Sequence, residues 1–174
     1  MAAVADLYNI ASAFLAASIT ALQETAAGPP ERAFVAPGDP ALDCCDQLTV
    51  HTASLGEYDL LTGPGALAKP HAINRGGKPG STLQIQITRC VPVPREASGT
   101  IILPDPVDQQ TAARIIDEDG WALWLGLSAA LKHGDLAQIC EGAERLGAVK
   151  MTPQGGCGGW VFTYRYPIQG GILA

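Results

Sequence analysis

Residues 153–167 read PQGGCGGWVFTYRYP, and this stretch decides the fold. Trp160, Phe162, Tyr164 and Tyr166 alternate with Val161, Thr163 and Arg165. Side chains on a strand point to opposite faces in turn, so this period of two predicts a strand with one bulky aromatic face. Upstream, Leu146, Val149 and Met151 mark a weaker strand from Arg145 to Thr152. The intervening Pro-Gln-Gly-Gly-Cys-Gly supplies the backbone freedom of a turn, because glycine tolerates positive φ. Residues 145–167 are therefore read as a β-hairpin.

The same glycines surround Cys157 and suggest a second reading, a nucleophile in a glycine-lined site. QGGCGGW has a superficial likeness to the cysteine segment of papain-like proteases. A catalytic thiolate needs an imidazole partner, which in those enzymes lies far downstream. The three histidines here, His51, His71 and His133, all lie upstream of Cys157, and the second cysteine of that segment is missing. The turn reading is preferred.

Working outward, the 174 residues fit one domain, with no internal repeat and no clear boundary. Only 16% of residues are charged, against about 25% in an average domain. Together with 20 glycines and 13 prolines, this predicts long loops and surface buried against other subunits. The net charge of −6 argues against a dedicated nucleic-acid binder, which carries a basic footprint. The apolar N-terminal stretch lacks a basic flank and has Asp6 ahead of it. It is also too short and polar for a membrane span, so it is read as an amphipathic helix of a cytoplasmically made protein. None of the five cysteines forms a Cys-x-x-Cys pair, and the histidines lack metal-ligand spacing. Free cysteines are the expectation, with a Cys45–Cys90 bridge between neighbouring strands as the alternative. No cofactor or metal is expected.

Helical spacing of Leu7, Ile10, Phe14, Ile19 and Leu22 predicts a helix over 3–25. Short strands follow at about 31–36 and 46–54. Residues 56–80 carry six glycines and three prolines and are read as a long loop, the kind that is functional or mobile. Its GGKPGS is no phosphate-binding loop, since Lys78 meets Pro79 and a strand follows rather than a helix. The clearest strand spans 82–93, with Leu83, Ile85 and Ile87 on one side and Gln84, Gln86, Thr88 and Cys90 on the other. A linker with Gly99, Pro104 and Pro106 leads to a second helix over 107–132, its apolar side marked by Ile115, Ile116, Leu123, Leu127 and Leu131. Gly120 and Gly126 are expected to weaken or bend it. The adjacent carboxylates Asp117, Glu118 and Asp119 splay around a helix rather than converge, and are read as a solvated face. The fold class is α+β: a mainly antiparallel sheet with two long helices on one face and a terminal β-hairpin, followed by a tail over 168–174.

Several phrases also recur in a recognisable order: DCCDQLTVHT at 43–52, a Gly/Pro-rich loop, LQIQITRCVPVP at 83–94, a long helix containing IIDEDGWALWLGL at 115–127, and GGCGGWVFTYRYP at 155–167. This order resembles tail terminator proteins of long-tailed, siphovirus-type phages that infect actinobacteria. The resemblance implies a structural virion protein of the phage neck, not an enzyme, assembled in the host cytoplasm. It implies a hexameric ring that caps the tail tube, stops its polymerisation and offers the head-joining surface. The implied partners are further copies of the chain, the major tail protein, a head-closure or connector protein and the tape measure protein. Genome DNA would pass through the lumen without specific binding, and no membrane is involved. Head-closure proteins of similar size are the nearest alternative, and a small cysteine-dependent enzyme or ligand-binding module the next. The contacts are assigned to Lys69, His71, Arg75 and Lys78 in the long loop, Gln154 and Cys157 at the hairpin tip, and Gln169 and Ile172 in the tail. Each is equally an ordinary exposed loop residue.

Overall fold

A computed structural model gives the fold and describes residues 7–40, 46–58 and 78–168. The elements are α1 (Leu7–Leu22), β1 (Arg32–Val35), β2 (Gln47–Tyr58), β3 (Lys78–Cys90), β4 (Arg95–Ala97), β5 (Thr100–Ile102), α2 (Pro106–His133), α3 (Asp135–Ile139), β6 (Glu144–Gln154) and β7 (Cys157–Pro167). The α+β class holds. A five-stranded sheet in the order β1-β2-β3-β7-β6 is antiparallel throughout except for β1, which runs parallel to β2. None of the described helices is long and apolar enough to cross a membrane.

The terminal hairpin forms as β6 and β7, but its turn is tighter than the sequence reading. Only Gly155 and Gly156 lie between the strands, with φ of 58° and 82°. Two positive φ values in succession match the twist of antiparallel strands and favour glycine at both positions. The expected loop over 56–80 is corrected at both ends, and residues 59–77 lie outside the described residues. β2 continues to Tyr58 and β3 begins at Lys78, with Gly56 opposite Gly80 in register.

The aromatic face of β7 is the centre of the core. Across the ladder Trp160, Phe162 and Tyr164 stand opposite Ile87, Ile85 and Leu83 of β3, while Leu48 and Val50 of β2 continue the first two rows. α1 and α2 cover this face with Ile10, Phe14, Leu22, Leu123 and Leu127, all buried. The Phe14 and Tyr164 rings meet at 5.2 Å between centroids. Each large apolar side chain so buried contributes roughly 1.5–3 kcal/mol, so these rows fix where the helices sit.

α2 starts where its chemistry dictates. The Asp105 carboxylate accepts from the Val107 N–H at 2.8 Å, and Pro106 occupies the first turn, where its missing N–H costs nothing. The helix runs unbroken through both glycines. They serve close approach instead of bending: a Cβ at Gly120 would collide with the Trp160 indole, and one at Gly126 with Ala21 of α1. Trp160 Nε1 also donates to the Ile116 carbonyl at 3.0 Å.

The expected solvated carboxylate face is corrected at one position. Asp119 is 1% exposed and accepts from Arg89 Nε at 2.7 Å. Arg89 also donates to Asp46 at 2.6 Å and to the Gly28 carbonyl, tying β3, α2 and the chain after α1 at one point. Burial pushes the Asp119 carboxyl above its ordinary pKa, against the opposing pull of Arg89. Burial works to lower the Arg89 pKa, but bonds and charges from Asp119 and Asp46 outweigh it and raise the group further. The other two carboxylates separate as expected: Asp117 pairs with Lys150 at 2.5 Å, and Glu118 accepts from the Ala26 N–H at 3.1 Å.

Candidate functional site

The surface least satisfied by the rest of the fold begins at the segment read as a linker. β4 and β5 form a two-stranded antiparallel ribbon that is not part of the main sheet and makes no substantial contact with any other element. Its turn, Ser98-Gly99, has φ of 53° and 74°, again the paired positive values of a tight hairpin. Every ribbon residue is exposed. Register puts Glu96 opposite Ile101 and Arg95 opposite Ile102, so the two sides of the ribbon differ. One side carries Glu96 and Ile101, which is 69% exposed. The other side turns towards a cleft of about 400 Å³ lined by Pro92, Val93, Arg95, Ile102, Leu103 and Asp108 among others.

A second unsatisfied surface lies on α2. Val107, Arg114, Trp121 and Leu125 fall at helical spacing on the side turned away from Ile116, Leu123 and Leu127. All four are exposed, and Trp121 remains 64% so. Trp124, one position round the helix, is partly covered by the Arg145 guanidinium at 3.0 Å from its ring centroid. Arg145 also donates to Ser128 Oγ at 2.9 Å. Trp124 is thus occupied within the chain, whereas Trp121 is not covered.

The sheet face opposite the helices is buried along β2 and β3 and is polar: Gln47, Thr49, His51, Gln86 and Thr88. The Thr49 hydroxyl and both ring nitrogens of His51 make no hydrogen bond among the described residues. His51 Nε2 comes within 3.1 Å of Asp39 Oδ1 without bonding geometry.

The predicted contact residues divide. Lys69, His71, Arg75, Gln169 and Ile172 lie outside the described residues. Lys78 begins β3, opposite Tyr58. Gln154 ends β6 and is exposed. Cys157 is corrected: it begins β7 opposite Gln154, is 3% exposed and is disulfide-bonded. A sulfur so held is neither an exposed tip residue nor a thiolate. Cys90 stands directly across β3–β7 from Cys157 yet keeps a free, exposed thiol, so no Cys45–Cys90 bridge forms. Cys140 is free and buried, and burial pushes its pKa up to about 11. Among the described residues no three His, Cys, Asp or Glu side chains gather as a metal site requires.

Sequence reasoning missed the ribbon and Trp121. The signals were present: Ser-Gly between two short runs marks a turn, and Ile101-Ile102-Leu103 is too apolar for a solvated linker. No protein-family model matches the chain, and no curated protein matches it.

Proposed function

We propose that this chain is a structural subunit of a phage neck, a tail terminator that closes into a ring on the end of the tail tube. The observation that supports this most is the pair of uncovered apolar surfaces on different elements, the ribbon and the outer stripe of α2. An isolated two-stranded hairpin is marginally stable in water, so a ribbon with no substantial contact to another described element suits a partner. Different surfaces on one chain suit a heterologous contact, which generates a ring when its rotation closes. The resemblance of the ordered motifs to tail terminators supplies the biological setting: the major tail protein on one side, a head-closure protein on the other, and DNA through the lumen.

Native mass by light scattering, with and without purified tail tubes, tests the reading. A closed ring of about six subunits, or one that forms only on the tubes, supports it. A chain that stays monomeric and ignores tail tubes overturns it, and a ring that binds only the head connector replaces it with the head-closure alternative.

A further inference from the structure

Resting on that reading, we propose that the β4–β5 ribbon of one copy docks on the outer stripe of α2 of a second copy, and that this head-to-tail contact builds the ring. The outward side of the ribbon carries Ile101 beside Glu96. The stripe on α2 carries Val107, Trp121 and Leu125 around Arg114. Neither Glu96 nor Arg114 forms an ion pair with another described residue. Each surface therefore presents apolar area and a charge without an ion pair, of opposite sign; Glu118, which lies between Arg114 and Trp121 on the helix, is held by the Ala26 N–H. Opposite charges across a contact fix register and suppress wrong partners more than they add affinity.

The dimensions also agree. At 1.5 Å per residue, Arg114 to Leu125 spans about 16 Å of helix, while three-residue strands extend about 10 Å. The ribbon therefore lies within the stripe and meets Trp121, the kind of large aromatic that anchors interfaces. The ribbon immediately precedes α2 in the chain, whereas Trp121 and Leu125 sit beyond its midpoint. Donor and acceptor surfaces are thus displaced along one helix, which gives a heterologous contact rather than a self-complementary one.

The test uses two variants of the full chain, Ile101→Asp on the ribbon and Trp121→Asp on the stripe, each checked for an unchanged thermal melt. Each alone raises the concentration needed for ring assembly by about thirtyfold. An equal mixture, at a concentration where the wild-type chain is fully assembled, retains one intact contact per pair. Native mass spectrometry then shows a two-chain species with one copy of each variant and nothing larger. Rings that persist in either variant overturn the docking while leaving the terminator reading intact. So does a mixture that gives only single chains or full rings. A wild-type chain that never assembles, even on tail tubes, removes both.

Discussion

The inner and outer faces of α2 obey different rules. On the inner face each group has a partner within the chain: Asp119 has Arg89, Gly120 receives the Trp160 indole, and Leu123 and Leu127 meet the sheet. On the outer face Val107, Trp121 and Leu125 have none among the described residues, and the ribbon leading into the helix repeats that condition. One helix thus serves as both a keystone of the fold and an open surface. Substitutions on the inner face should unfold the chain, and those on the outer face should leave it folded but alone.

The largest effect is expected at Arg89. Arg89→Met leaves Asp119 buried with no cation, a loss of roughly 3–5 kcal/mol of stability. Its pH dependence identifies the cause. Removing the arginine takes away the main influence that lowers the Asp119 pKa, leaving only the Thr25 hydroxyl against burial, which holds the folded-state value further above the unfolded 3.8. A group whose folded pKa is raised contributes most below its unfolded pKa, and that contribution is lost as pH rises through the folded value. The deficit of the variant against wild type should therefore widen from mildly acid to neutral pH in urea melts. A deficit that does not change with pH would show that Asp119 is not the group left behind.

Next comes Gly120→Ala. In an isolated helix alanine is favoured over glycine by up to about 1 kcal/mol. Here its Cβ would occupy the space of the Trp160 indole and strain the bond to the Ile116 carbonyl. A net loss of about 1–3 kcal/mol is expected, with a change in near-ultraviolet circular dichroism from the displaced indole. A stabilised variant would mean that the indole moves aside freely and that the inner face is looser than its packing indicates.

These two sites also show how far the sequence was legible. The aromatic alternation of β7, the Leu83-Ile85-Ile87 row and the span of α2 were readable because each is a period imposed by one buried face. Asp119 was misread because three adjacent carboxylates were treated as a group. Its position three residues after Ile116 and four before Leu123 places it on the inner face, and Arg89 falls on the apolar parity of β3. The glycines of α2 look like helix breakers in a one-dimensional reading, and only the approach of Trp160 and Ala21 explains them. The ribbon was missed because three-residue strands are too short to show a period.

Smaller still is Tyr166→Phe. The Tyr166 hydroxyl is buried and has no hydrogen bond of normal geometry among the described residues; burial raises its pKa, while the nearby Ser81 and Thr52 hydroxyls pull it down. Removing an unsatisfied buried hydroxyl removes a desolvation penalty, so the variant should be unchanged or more stable by up to about 1 kcal/mol. A clear loss in denaturant melts would mean that the hydroxyl is bonded in solution.

The smallest effect on stability is expected on the outer surface, at Ile101→Asp. The side chain it removes touches little of its own chain, so the thermal midpoint should stay within the range of an ordinary surface change, about 0.5 kcal/mol. In a ring the same position should behave as a core residue. Stability of the isolated chain and stability of the assembly would then respond in opposite ways to one substitution: negligible change in the first, collapse of the second. Coupled loss of both would mean that the ribbon packs against its own subunit in solution. The difference between the two faces of α2 would then be one of degree, with the ribbon counted as part of the fold rather than as its point of attachment.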